Sequence, residues 1–130
     1  MDDKARQEFE KAVELDPNNP QARTALGFSL IAQKETGRAL ASFQKALELD
    51  PRSTDAKMGL GSAYRLQGNT DKALEIFEAG IRLCPDSAIF HLELGKIYES
   101  LGRCKDAAKH FKASAECFLK MKKRKELTRF

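Results

Sequence analysis

The chain of 130 residues has no tryptophan and contains only three cysteines, two histidines and four prolines. Cys84, Cys104 and Cys117 are odd in number and form no CxxC motif, so their pattern matches neither a disulfide framework nor a zinc site. We therefore expect reduced, inert thiols and a cytoplasmic protein. The alternative for Cys104 alone is a partly exposed, oxidisable thiol at a turn.

Chemical motifs are also missing. The sequence has no Ser/His/Asp or Cys/His arrangement, no phosphate-binding glycine loop and no paired carboxylates. His91 and His110 stand 19 residues apart without ligand spacing, which favours surface or core-edge histidines. We predict that the protein is not an enzyme, with no catalytic residue, no metal site and no cofactor.

Long apolar runs are absent as well. None approaches the roughly 20 residues that a membrane span needs. The charged start, Met-Asp-Asp-Lys-Ala-Arg, is followed by no apolar stretch of the kind found in a secretory signal. Hydrophobic residues nevertheless make up 42% and charged residues 32% of the chain. These proportions are typical of a soluble, folded, helix-rich protein.

The net charge of +4 is unevenly placed. Residues 120–130 carry six basic side chains against Glu126, so the rest of the chain sums to −1. An anionic partner such as nucleic acid or lipid is one interpretation. We favour a solvated helix end, where cations suit the negative pole of the helix dipole, and expect neither a nucleic-acid nor a membrane partner. The predicted basic tail comprises Lys120, Lys122, Lys123, Arg124 and Lys125.

The dominant signal is a repeat of 34 residues. The pairs Leu26-Gly27, Leu60-Gly61 and Leu94-Gly95 recur at that interval. Each is followed by an alanine (Ala39, Ala73, Ala107) and then by an aromatic residue (Phe43, Phe77, Phe111) at a fixed spacing. Repetition of this kind marks an array in which stacked helical units share one continuous core.

The repeat phase predicts five segments. They are the second helix of a truncated preceding repeat at 1–19, three repeats at 20–53, 54–87 and 88–121, and a basic helix extension or tail at 122–130. Asn19 before Pro20 predicts a helix start, and Pro51 and Pro85 predict helix ends. No breaker follows Ser114, so the last helix is expected to continue into the basic tail.

Small residues explain why the units pack. A glycine inside a helix costs about 1 kcal/mol relative to alanine, so its repetition indicates a close helix crossing. We predict that Gly27, Gly61 and Gly95 allow contact within each repeat and that the equivalent alanines, beginning with Ala39, face them. Gly80 is expected to let the next repeat approach.

The residues Leu26-Gly27, Leu30, Ala39, Phe43, Ala46 and Pro51, repeated with small losses, resemble the tetratricopeptide repeat (TPR) family over about residues 1–121. The chain departs from the family at Arg23, Lys57 and His91, where tryptophan often stands. Lys34 occupies the position of the family's turn glycine. The resemblance implies an all-α, right-handed α-solenoid of antiparallel helix pairs, with about seven helices and no change of fold at these departures.

The resemblance also implies a non-catalytic protein-interaction scaffold whose concave groove, lined by first helices, takes a peptide or helix of a partner. The alternative is that Phe28, Ile31, Met58 and Leu92 pack between neighbouring first helices and offer little to a ligand. By family geometry the groove residues are Thr24, Phe28, Ile31, Met58, Ser62, Arg65, Ile89, Leu92, Lys96 and Glu99.

One family ligand is rejected. Co-chaperone TPR domains clamp a C-terminal carboxylate with Lys, Asn and Arg side chains. Here the matching positions hold Thr24, Phe28, Gly59, Ile89 and Glu93, so a carboxylate-clamp chaperone ligand is not expected.

The opening helix lacks a first-helix partner. This indicates either a longer array or a single capping helix. Its apolar residues Phe9 and Val13 would be left uncovered, which predicts a self-association patch and a possible homo-oligomer through this end.

Overall fold

The computed structural model describes residues 2–127 and shows seven α-helices and no β-strand within that range. The helices are α1 (Asp2–Leu15), α2 (Pro20–Ala32), α3 (Thr36–Leu49), α4 (Thr54–Leu66), α5 (Thr70–Leu83), α6 (Ala88–Ser100) and α7 (Cys104–Leu127). The last helix runs on into the basic residues, as expected from the absence of a breaker. Residues 128–130 of the predicted tail lie outside the described part of the chain.

Helices α2, α4 and α6 begin at equivalent positions of the repeat. The residues before them, Asn19, Ser53 and Ser87, each accept a hydrogen bond on the side chain from a backbone N–H two or three residues later, at 3.0–3.3 Å. This bond satisfies one of the free N–H groups at a helix start. The repeated polar residue therefore sets where each first helix begins.

The turns that end these three helices share one backbone conformation. Lys34, Gly68 and Gly102 have φ values of 65°, 79° and 75°. Glycine adopts positive φ without a steric penalty, whereas a residue with Cβ is strained there. Lys34 holds the turn after α2 despite this strain, and Gly37 instead lies within the first turn of α3.

The chain divides into two compact units, one ending at Ile76 and the other beginning at Phe77, so the boundary falls within α5. In the first unit α2 packs against α1, α3 and α4, and α3 also packs against α4. In the second unit α6 packs against α7. Short connections place consecutive helices side by side and antiparallel.

The core of the first unit is built around Phe43. Its ring is fully buried and lies against Gly27 of α2 and Gly59 of α4, among Leu30 and Leu60. A Cβ added at Gly27 would stand 2.6 Å from the ring, which is too close for any real contact. Glycine at these positions therefore lets an aromatic ring lie directly on a helix backbone.

The expected partner of Gly27 is Ala39, whereas the contact that the structure shows at Gly27 is with Phe43. Ala39 is fully buried, but the atoms nearest to the Gly27 position belong to the Phe43 ring. The physical reason is size, because the missing Cβ leaves room for a ring that an alanine methyl group would not fill.

The second unit uses the same contact between a ring and a glycine. A Cβ at Gly95 would lie 2.6 Å from the Phe111 ring, and one at Gly80 would lie 2.7 Å from the Phe90 ring. The second contact joins α5 to α6, so Gly80 admits the helix of the following repeat, as expected. Phe77 and Leu94 are fully buried beside them.

Candidate functional site

The first unit carries six of the predicted groove residues. Phe28 is 42% exposed, and its ring packs edge-on against Phe43 with centroids 5.0 Å apart. Thr24 is buried, with its hydroxyl donating to the Pro20 carbonyl at 2.8 Å. Ile31 is half-buried against the core. The six are Thr24, Phe28 and Ile31 on α2 and half-buried Met58, half-buried Ser62 and exposed Arg65 on α4.

Thr24 and Phe28 line an open cleft of about 300 Å³ at the start of α2 and α4. Pro20 also lines it, and Asp50 and Asp55 contribute carboxylates from the end of α3 and the first turn of α4. A cleft of this size with an aromatic wall is at the lower limit of ordinary ligand sites. The two acidic residues were not among the predicted groove residues.

The second unit carries the other four predicted groove residues, all on α6. Ile89 is 55% exposed, and Leu92 is half-buried. Lys96 and Glu99 are exposed, and the Lys96 ammonium lies 3.5 Å from a carboxylate oxygen of Glu93. This face of α6 therefore presents apolar and charged groups together.

A repeated hydrogen bond explains what replaces tryptophan at the start of each first helix. Arg23 Nε donates to the Pro17 carbonyl at 2.9 Å, and Lys57 Nζ donates to the Pro51 carbonyl at 2.7 Å. His91 Nε2 lies 2.8 Å from the carbonyl of the proline six residues before it. A carbonyl oxygen can only accept, so His91 Nε2 is the protonated nitrogen.

That assignment fixes the second contact of His91. Its Nδ1 lies 3.0 Å from Nδ1 of His110 on α7, and the two rings meet edge to edge with centroids 5.3 Å apart. In a neutral imidazole one nitrogen donates and the other accepts. Since His91 donates through Nε2, its Nδ1 accepts from the Nδ1–H of His110. We name His91 and His110 the histidine pair.

The surroundings of His110 favour a neutral ring. Burial lowers the pKa of the His110 imidazole below its ordinary value, and the nearby His91 and Lys109 lower it further. A second proton on the pair would bring two N–H groups face to face, which is unfavourable in a partly desolvated site. His110 therefore takes part in this hydrogen bond as a neutral ring.

The ring of Tyr98 packs against the ring of His110. Its ring stacks on His110 with centroids 5.5 Å apart, and its hydroxyl donates to Glu78 Oε1 at 2.5 Å. Burial, together with this hydrogen bond, raises the pKa of the Tyr98 hydroxyl to about 12. The Arg103 guanidinium lies over the outer face of the ring, 4.7 Å from its centroid. His110 is thus held between two aromatic rings.

The predicted self-association patch lies on α1. Phe9 and Val13 are both half-buried, so packing on α2 covers them in part. Ion pairs hold α1 in place, with Arg6 3.1 Å from Glu35 and Arg38 3.5 Å from Glu10.

The basic tail forms an exposed helical segment. Phe118, Met121 and Leu119 are each about half exposed beside the lysines, and Phe118, Met121, Lys122 and Lys125 line a shallow depression of about 400 Å³. The segment from 118 to 127 thus combines apolar and basic side chains on one helix.

The remaining sequence expectations concern cysteines, metals and membranes. Cys84 is half-buried, Cys104 exposed and Cys117 buried, and all three are free thiols. Between residues 2 and 127, no cluster of three or more His, Cys, Asp or Glu side chains is arranged to hold a metal ion. Over the same residues, each helix is either too short or too polar to cross a membrane.

Comparison with known proteins decides the family. A sequence profile described as tetratricopeptide repeat matches residues 3–51, 24–88 and 71–118, which together span most of the chain. The chain belongs to the tetratricopeptide repeat family. The resemblance inferred from the repeated residues and the predicted all-α class of TPR helix pairs are both confirmed. Among curated proteins, none matches the chain significantly.

Solved structures agree with this TPR assignment. A crystal structure of MamA is 30% identical with a TM-score of 0.85, and the match covers 95% of this chain and 72% of MamA. A second MamA crystal structure is also 30% identical and has a TM-score of 0.81. The match covers 95% of this chain and 67% of that MamA chain.

A more distant TPR likeness concerns the fold alone. The crystal structure titled APC/C hetero-tetramer Cut9-Hcn1 is 21% identical with a TM-score of 0.85. The match covers 91% of this chain and 23% of that one.

Sequence reasoning missed the histidine pair, although the repeat contains a signal for it. Ser42 Oγ donates to the carbonyl of Arg23 at 2.9 Å. Ser42 and Arg23 stand two repeats before His110 and His91, respectively. The same two positions therefore touch in both units, and aligning the repeats would have brought the two histidines together.

Proposed function

We propose that this TPR protein is a non-catalytic interaction module that binds a peptide or helix of a partner protein through its first helices. The observation that carries the proposal is the cleft of the first unit, where the exposed Phe28 ring rests on the buried Phe43 ring. A rigid aromatic side chain supported from below loses little conformational entropy on binding, which is typical of an interface anchor.

The chemistry of the cleft supports a partner segment with apolar and cationic side chains. Phe28 offers apolar area, while Asp50 and Asp55 offer carboxylates on the cleft wall. Within the second unit, α6 has an apolar surface of its own, formed by the exposed Ile89 and the half-buried Leu92. An amphipathic segment makes both kinds of contact along one face.

The test is a titration with a peptide selected by display against the parent protein. We expect Phe28→Glu, Met58→Glu and Leu92→Glu to weaken binding by about tenfold or more, because each puts an unpaired charge into an apolar contact. Leu119→Glu is the matched control, since it makes the same change on the exposed part of α7. Unchanged affinity in all three folded variants would exclude the first helices.

A second candidate is self-association through α1. The half-buried state of Phe9 and Val13 favours it, because some apolar area remains for a second copy. In the same titration, Phe9→Glu leaves peptide affinity unchanged if the first helices are the site. If α1 is instead the contact between two copies, Phe9→Glu lowers the molar mass measured by light scattering.

A further inference from the structure

We propose that the segment 118–127 of α7 binds the surface of a membrane that contains anionic phospholipids. Every residue of this segment is exposed. It carries five basic side chains and one acidic side chain, Glu126. Clusters of about four to eight Lys and Arg residues on an amphipathic helix are typical of sites for anionic lipid headgroups. This site is independent of the first helices.

The segment lies beyond the part of α7 that packs on α6. Ser114 Oγ donates to the carbonyl of Ala88, the first residue of α6, at 2.9 Å. Cys117 is the last buried residue among those described on α7. Because consecutive helices of the array are antiparallel, the residues after Cys117 continue past the start of α6 and are not covered by it. At about 1.5 Å per residue, the uncovered segment is about 15 Å long.

The uncovered segment keeps apolar side chains on the face that packs on α6 earlier in the helix. Phe118 is 49% and Met121 47% exposed. They stand four and seven residues after the buried Ser114, so they continue its face of the helix. Leu119, which is 59% exposed, adds apolar area next to Phe118. The solvated helix end expected from the sequence does not account for these side chains.

The placement of the lysines favours a lipid surface over a groove in a partner protein. Phe118, Met121, Lys122 and Lys125 line one shallow depression, at the spacing of a single helix face. A helix that docks into a protein groove presents an apolar stripe on that face. At a bilayer surface, lysine stems lie among the acyl chains while their ammonium groups reach the lipid phosphates. A nucleic acid would contact the lysines but leave the apolar side chains in water.

The local charge is positive even when the neighbouring carboxylates are included. Glu116 and Glu126 are the acidic residues of 116–127, against five basic residues, which leaves a net charge of +3. Each Lys or Arg close to an anionic membrane strengthens binding by about fivefold. Attraction to the headgroups and burial of Phe118 and Met121 therefore act on the same segment.

The test is co-sedimentation with vesicles of equal parts phosphatidylcholine and phosphatidylserine, and with vesicles of phosphatidylcholine alone, at about 0.1 M salt. We expect binding to the mixed vesicles to be at least about tenfold tighter, and to weaken as salt is added. Lys122→Gln combined with Lys123→Gln should weaken it about 25-fold. Phe118→Gln combined with Met121→Gln should weaken it about tenfold or more, because both side chains lose apolar burial.

Lys109→Gln combined with Lys112→Gln is the matched control, because it removes two charges from the packed part of α7. It should leave vesicle binding nearly unchanged. Because the chain has no tryptophan, Phe118→Trp provides a single fluorescent reporter, whose emission should shift to the blue on mixed vesicles. Circular dichroism confirms that the variants are folded.

The proposal is overturned if the parent protein binds mixed vesicles no better than phosphatidylcholine alone. It is equally overturned if the folded variant with Phe118→Gln and Met121→Gln binds them as tightly as the parent. Binding of a DNA duplex without binding to vesicles would assign the segment to nucleic acid instead.

Discussion

At the scale of single residues, the contact between Gly27 and the Phe43 ring is the tightest constraint on substitution in α2. Alanine at this position gains up to about 1 kcal/mol of helix propensity. Its Cβ, however, would stand 2.6 Å from a ring that is fully buried. Overpacking of this kind typically costs about 1–3 kcal/mol.

We predict that Gly27→Ala lowers the free energy of unfolding by up to about 2 kcal/mol, measured by urea denaturation. Gly37→Ala is the matched control, because nothing lies within 4 Å of its Cβ position. The control should leave stability unchanged or raise it slightly. Equal effects of the two substitutions would show that the ring does not need the glycine.

Some contacts of single residues can be predicted from the sequence and others cannot. The caps Asn19, Ser53 and Ser87 are encoded locally, because an Asn or Ser side chain before a helix satisfies free N–H groups in almost any context. By contrast, the contact of His91 with His110 depends on how two helices are rotated against each other. No other repeat has a histidine at either position, and only the equivalent contact between Ser42 and Arg23 reveals that the two positions touch.

At the scale of elements, the turn that ends α2 carries avoidable strain. Lys34 has a φ of 65° where the equivalent turns use Gly68 and Gly102. A non-glycine residue in the left-handed region costs about 1–2 kcal/mol. The helix pair forms nonetheless, because its packing exceeds this local cost.

We predict that Lys34→Gly raises the free energy of unfolding by up to about 1 kcal/mol, because relief of strain outweighs the added freedom of the unfolded chain. The reverse change, Gly68→Ala, should destabilise by a similar amount. A shift of the urea midpoint with an unchanged slope is the relevant observation. A loss of stability in Lys34→Gly would mean that the lysine side chain holds the turn by other contacts.

Helix positions followed from the 34-residue pattern, but the walls of the cleft did not. Thr24 and Phe28 were assigned to the groove through the family, and both line the cleft of the first unit. Asp50 and Asp55 belong to the segment around a helix end, where family geometry assigns no groove residue. Their position depends on how the turn between α3 and α4 passes the start of α2.

At the scale of the whole molecule, the central claim is that exposed residues of the first helices bind the partner. Phe43 and Phe111 from second helices lie on glycines of first helices. This leaves Phe28 and Ile89 of the first helices exposed. The basic part of α7 and the α1 patch are the competing surfaces.

Backbone amide chemical shifts, recorded with and without a display-selected peptide, test this claim most directly. The account predicts that the largest changes fall on α2 and α4 around Thr24, Phe28 and Asp55, with further changes on α6 near Ile89. Changes confined to α1 around Phe9, or to the helix from Phe118 to Leu127, would contradict it.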